Sequence, residues 1–248
     1  MSERRIWKAC RIPVRWRSRA HSRSRQPLRR QPWRKNAPPL GGCEVQAEPV
    51  LVLGLIEACR AVITANTDHL CALDCAIGDG DHGSNMQRGC EAVSAEGAAL
   101  SSLPFPDAVE KIGMTLVMNV GGAAGPLYGT LLMEIGRELR ARDGTADFPI
   151  VLKKAIDAVA RRGRSHAGDK TLLDVLYPVQ DALAQSSTLI DVARRAELSA
   201  NLTAAMKAMR GRASYLGDRS IGHVDPGASS CALLTTAICH YFGENDRV

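Results

Sequence analysis

The sequence predicts an all-α fold, and three observations carry that expectation. Aromatic residues make up only 4% of the 248-residue chain, while alanine, leucine and valine are plentiful. Such a composition favours helices packed through small aliphatic side chains over a β-sandwich. Apolar positions recur with the 3.6-residue helical period, as at Val151, Ala155, Ile156 and Val159. No stretch alternates apolar and polar residues as a half-buried strand would.

In chain order, residues 1–47 stand apart. Eleven arginines up to Arg34, interleaved with Pro13, Pro27, Pro32, Pro38 and Pro39, offer no material for a core, so this segment is expected to be a disordered extension. It is translated sequence upstream of the true start, an authentic arm, or an arginine-rich targeting segment. Residues 48–248 form the domain. Residues 50–65 read as an apolar helix, followed by a polar stretch leading into a second helix near 83–100. Further helical patterns fall near 106–119, 126–142, 149–162, 171–185, 188–210 and 226–242, about eight helices in all. Pro106, Pro126 and Pro226 lie near helix starts, and Gly144, Gly163 and Gly211 near helix ends, as helix punctuation requires.

Charge divides the chain in the same place. Residues 1–40 hold 13 of the 32 basic residues and one of the 26 acidic ones, a local balance of +12, and the remainder carries −6. Nucleic-acid binding suggested by the net charge would therefore concern the arm alone. Eight cysteines lack CxxC spacing and indicate neither a zinc site nor a disulfide framework, which fits a cytoplasmic setting. No apolar run reaches the ~18 residues of a membrane span.

Glycine, aspartate and histidine concentrate in four breaks: 74–85, 121–129, 163–174 and 211–229. In an up-and-down array alternate connections share one end, and these breaks follow the first, third, fifth and seventh predicted helices. They are thus expected at a single rim.

The first break contains Asp74, Asp79 and Asp81 between glycines. Three carboxylates this close repel one another unless a cation sits among them, and hard oxygen ligands suit magnesium bound with substrate phosphates. A solvated acidic turn is the competing reading. Gly78-x-Gly80-x-x-Gly83 matches a dinucleotide fingerprint literally, but Asp79 and Asp81 would repel a pyrophosphate and no strand precedes them. An EF-hand fails too, because Cys90 stands where the bidentate glutamate belongs. In the second break, Gly121-Gly122-Ala123-Ala124-Gly125-Pro126 is either a phosphate cradle at a helix start or a stripe for close helix packing. In the third, Asp169 is a plausible helix cap, and Lys170 could reach a phosphate or pair with Asp174. In the fourth, Asp225 and Pro226 form a well-defined helix start, and Arg212 and Arg219 supply positive charge.

Taken together, the strings LDCAIGDGDHGSNMQRG, GGAAGPLYGT, AGDKTLLDVLYP and GRASYLGDRSIGHVDPGA resemble the L subunit of dihydroxyacetone kinases, in family order over residues 70–229. The resemblance implies an eight-helix antiparallel barrel with nucleotide at one rim. It implies that Asp74, Asp79 and Asp81 hold two Mg2+ ions bridging the phosphates of ADP or ATP. His82, Gly83, Ser84, Asn85, Ala123, Ala124, Gly168, Tyr177, Arg212, Asp225, Pro226 and Gly227 would line the nucleotide. The family commonly has serine where this chain has Ala124, so one hydroxyl contact to phosphate is missing. The implied function is phosphoryl transfer to dihydroxyacetone held on a separate K subunit, with ADP recharged from phosphoenolpyruvate through a phosphocarrier M subunit. The alternatives are an ATP-dependent kinase subunit for another short ketose such as erythrulose, and a non-catalytic nucleotide-binding regulator. A basic-arm nucleic-acid binder is favoured only by residues 1–40.

Overall fold

α1 (Ala47–Ala65) opens the computed structural model, which describes residues 47–141 and 147–245; the arm expected over 1–47 falls almost wholly outside the described residues. At Asn66 the chain bends by 58° into α2 (Thr67–Ile77). The bend has a local cause. Asn66 Nδ2 donates to Val62 O at 2.8 Å and Thr67 Oγ1 to Ile63 O at 3.0 Å, so side chains satisfy carbonyls at the helix end. The stretch 66–83 is expected from the sequence to be a polar connection, and its first part, Thr67–Ile77, is helix instead. It is helical because Leu70, Asp74 and Ile77 recur at helical spacing and are all buried.

After a four-residue turn come α3 (His82–Ala95) and the short α4 (Gly97–Ser101), which the sequence reading joined as one helix. They part at Glu96, whose backbone leaves the helical region. α5 (Phe105–Asn119) and α6 (Ala124–Arg140) follow. These two approach so closely that a Cβ at Gly113 would lie 2.8 Å from Gly129 O, and one at Gly129 2.7 Å from Gly113 O. α7 (Phe148–Gly163) is closed by left-handed Arg164. α8 (Leu173–Ala184) and α9 (Leu189–Leu202) follow, the latter capped by Thr188, whose hydroxyl accepts from Asp191 N.

The helix expected over 188–210 stops at Leu202. Thr203 is fully buried, donates to Ala200 O at 2.6 Å and accepts from Asp225 N at 3.0 Å, so the chain turns there through a 3-10 helix (Thr203–Ala205). A second 3-10 segment (Arg212–Ser220) precedes α10 (Pro226–Asn245).

Among the described residues the structure is helical, with no strand. α3 packs on α1 and α5, each helix from α5 to α9 packs on its successor, and α9 packs on α10, which returns to α1. The core between them is aliphatic: Ile63, Leu70, Leu100, Val151, Ile156, Val159, Leu173, Val175 and Val192 are buried. Each such side chain contributes about 1.5–3 kcal/mol relative to exposure. Among the described residues, no single helix is long and apolar enough to cross a membrane, although the bent α1–α2 pair passes by length and composition.

Candidate functional site

The last turn of α2 carries a buried carboxylate, Asp74. Asp74 Oδ2 accepts from Asp81 N at 3.0 Å and His82 N at 3.2 Å, so one side chain folds the whole turn back on the helix. Gly80, at φ +80°, lies against Cys75 Sγ, which a Cβ there would approach to 2.4 Å. The result is convergence. Ligand oxygens of Asp74, Asp79 and Asp81 all lie within 4.8 Å of one another, Asp74 buried and the other two open to solvent. Octahedral magnesium at about 2.0–2.1 Å places its oxygens about 3–4 Å apart, so a divalent cation fits this donor set with small side-chain adjustment. Arg212 reaches across from the 3-10 segment and pairs with Asp79, supplying positive charge to the cluster.

The turn leads straight into the N-terminus of α3, where positive partial charge accumulates. Ser84 Oγ donates to Asp81 O at 2.9 Å, and buried Asn85 abuts Gly121, so this helix start touches the 120–123 connection. Arg88 Nε extends that tie to Asn119 O at 3.0 Å. Gly122 and Ala123 are exposed at the head of α6, while Gly125 and Gly129 are buried against α5. The close-packing reading therefore holds for Gly125 and Gly129, while Gly122 and Ala123 stay open to solvent.

Behind the turn is a polar network that sequence reasoning missed. His82 Nε2 lies 2.9 Å from Ser230 Oγ, which lies 2.8 Å from Tyr128 Oη. Burial pushes the His82 pKa down against the opposing pull of Asp74 and Asp81, and pushes the Tyr128 phenol well above its usual range. Tyr128 stood inside a recognised motif, but Ser230 follows the last one. Its place one turn after Pro226 on α10 was the only available signal.

In the third break the structure corrects two expectations. Asp169 does not cap α8: its carboxylate accepts from His166 N at 2.9 Å and Arg210 Nε at 3.2 Å. Lys170 does not pair with Asp174; its ammonium donates to Met206 O and, in the fourth break, to Ser220 O and His223 O. The Asp174 carboxylate instead accepts from Gly168 N and Thr171 N, folding the turn that contains Gly168. Tyr177, half-buried in α8, donates to Asp157 at 3.4 Å and carries Lys153 Nζ 5.7 Å from its ring centre, so its described contacts lie with α7.

The fourth break ends as expected: Asp225 Oδ2 accepts from Ala228 N at 2.7 Å, capping α10 through Pro226 and Gly227. Desolvation raises this carboxyl to about 7, opposed by Ala228 N–H and Lys170 and reinforced by Asp174 and Asp74. Gly227 O accepts from Tyr128 at 3.3 Å. Direct contacts thus link all four breaks. The added helix α2 leaves this shared end intact, since the 58° bend does not reverse the chain. A separate cleft of about 320 Å3 lies between α1 and α10, lined by Ala58, Val62, Thr236 and His240. Thr236 is ten residues along α10 from its start, about 15 Å at 1.5 Å per residue, so that cleft is distinct from the rim.

Residues 76–240 match the DAK2 domain family. The chain belongs to this family. Its relatives include the PEP-dependent dihydroxyacetone kinase 1, ADP-binding subunit DhaL, of Listeria innocua, 42% identical over 177 residues that span 71% of this chain and 88% of that one. The corresponding ADP-binding subunit of Escherichia coli is 38% identical over 74% of this DAK2 chain and 92% of its own. L-erythrulose 1-kinase of Mycolicibacterium smegmatis is 33% identical over 75% of this chain, but only 34% of its own length. In structure, the chain resembles the dihydroxyacetone kinase of C. freundii, with TM-score 0.65 and 23% identity over 92% of this chain and 39% of that one. That likeness shows the fold.

Proposed function

We propose that this DAK2 chain is the nucleotide-binding, phosphoryl-transfer subunit of a dihydroxyacetone kinase of the phosphoenolpyruvate-dependent kind. The observation that carries the reading is the convergence of Asp74, Asp79 and Asp81 at a rim shared by four loops, in a chain 42% identical to an ADP-binding subunit. The C. freundii kinase has been crystallised with AMP-PNP and Mg2+, which supports the same ligand pair here.

On this reading ADP stays bound as a carrier, and Asp74, Asp79 and Asp81 would hold two Mg2+ ions. When bound, the ions neutralise phosphate charge, the main requirement of phosphoryl transfer. The protein's own part is positional. Asp74 keeps Asp81 and His82 in place through their amides, and the α3 start (His82, Gly83, Ser84, Asn85) and α6 start (Ala123, Ala124) flank the phosphates. Arg212, which pairs with Asp79, would supply positive charge to the phosphates. Gly168 and the Asp225-Pro226-Gly227 turn would close the nucleotide side, with Tyr177 toward the adenine. A K subunit would hold dihydroxyacetone and an M subunit would recharge ADP, in the cytoplasm.

Mixing the purified chain with a K subunit, an M subunit and the phosphoenolpyruvate relay should phosphorylate dihydroxyacetone, and omitting the chain should abolish turnover. Full turnover without this chain would refute the reading. The erythrulose reading rests on the 33% identity to L-erythrulose 1-kinase, and the same mixture supplied with erythrulose and ATP decides between them.

A further inference from the structure

The bulkiest fully buried side chain among the described residues is a lysine. Lys170 is 1% exposed, and its backbone is left-handed at φ +63°. A residue with a Cβ is held there only when its surroundings over-determine it. Its ammonium is fully engaged. Nζ donates to Ser220 O at 2.6 Å, His223 O at 2.6 Å and Met206 O at 3.2 Å. An ammonium has three donors and no acceptor, so its hydrogen-bonding capacity is filled and none remains for a phosphate.

The three carbonyls all belong to the loop between Thr203 and Asp225, and they straddle its tip. Residues 211–219 lie between Met206 and Ser220, and the tip carries Arg212, whose guanidinium reaches Asp79. Within the loop, Ser214 Oγ donates to Gly211 O and Ser220 Oγ to Gly217 O, each 2.6 Å, while Lys207 Nζ pairs with Asp218 at 2.8 Å and Ala208 N donates to Ser220 Oγ at 2.9 Å. Its base is pinned from the neighbouring loop, by Lys170 and by Asp169, whose carbonyl accepts from Met209 N at 3.1 Å. His223 O, the last of the three acceptors, is two residues from Asp225.

We propose that Lys170 is a positioning residue. By gathering three carbonyls of the 203–225 loop, it fixes where Arg212 and Asp225 stand relative to Asp74, Asp79 and Asp81, and governs phosphoryl transfer without touching the nucleotide. This rests on the function proposed above.

The test uses the full chain carrying Lys170→Met, which keeps the apolar stem and removes the donors, and Lys170→Gln, which keeps two donors on a shorter stem. Each is measured alone and combined with Arg212→Ala, by reconstituted turnover and by hydrogen exchange of amides 206–223. Lys170→Met should lower turnover about 100-fold, the scale of a ~1 Å displacement of a site group. In the Arg212→Ala background the same change should cost less than about threefold, because a residue acting through Arg212 has little left to lose. Lys170→Gln should recover part of the loss, and exchange at 206–223 should quicken in the order parent, Gln, Met. Losses that multiply independently of Arg212, or exchange at 206–223 equal to the parent's, would overturn the proposal. If the parent shows no turnover with its partners, the proposed function falls, and exchange still decides whether Lys170 positions the loop. If the Met variant does not fold, the Gln variant carries the same comparison.

Discussion

Replacing Asp225 with asparagine should stabilise the ligand-free protein at neutral and alkaline pH and do nothing near pH 4. Asparagine keeps an oxygen for the Ala228 amide but cannot ionise. In the parent, burial raises this carboxyl from its ordinary 3.8 to about 7. Between those values the folded state binds more protons than the unfolded one, so stability is fully present below about pH 4 and declines until pH passes 7. At 1.36 kcal/mol per pH unit, that climb amounts to about 4 kcal/mol. For a chain of this size 1 kcal/mol moves the melting temperature by roughly 2–4 °C, so Asp225→Asn should melt roughly 8–16 °C above the parent at pH 8. Urea unfolding of both proteins at half-unit steps from pH 4 to 8 measures this directly. Their difference isolates Asp225 from every other titrating group. A difference that is constant across the range, or that shrinks as pH rises, would refute the reasoning. A divalent cation beside Asp74 favours the ionised carboxyl, so Mg-ADP binding at pH 7 should release protons, visible as buffer-dependent heats in calorimetry.

Two substitutions probe the scaffold around the metal cluster. A Cβ at Gly83 would fall 2.1 Å from Thr67 O, a backbone atom of α2 that cannot turn aside, so Gly83→Ala should force α3 off α2. The expected cost is about 1–3 kcal/mol, the range for overpacking, checked by urea unfolding; a parent-like midpoint would show that the helices yield freely. Arg140→Ala removes exposed pairs with Asp107 and Glu110 on the α5–α6 surface. It should leave ADP affinity unchanged and stability only slightly lower, because exposed pairs are screened by solvent; weakened ADP binding in titration would mean that the site extends along α6.

The helices and the shared rim were legible because both depend on local pattern and on counting connections. What was misread depended on partners distant in sequence. α2 was hidden by its polar surface residues, although Leu70, Asp74 and Ile77 already marked its buried face. α9 stops early because Thr203 serves Asp225, 22 residues away, and no local propensity encodes that. Asp74, Asp79 and Asp81 were visible as a group because glycines space them within eight residues. Lys170 was expected to reach a phosphate or pair with Asp174, four residues on, because its three actual acceptors lie 36 to 53 residues further along the chain. Ser230 carried no signal stronger than its helical spacing from Pro226.

The central claim is that three aspartates at this rim hold nucleotide through divalent metal. Calorimetric titration of the full chain with ADP, with and without Mg2+, tests it most directly when the parent is compared with Asp79→Ala and Asp81→Ala. Each variant loses one oxygen ligand and leaves phosphate charge less neutralised, while Asp74 still holds the turn. The parent should bind ADP only with Mg2+, and both variants should lose that binding while keeping the parent's helical content by circular dichroism. Folded variants that bind Mg-ADP as tightly as the parent would contradict the account.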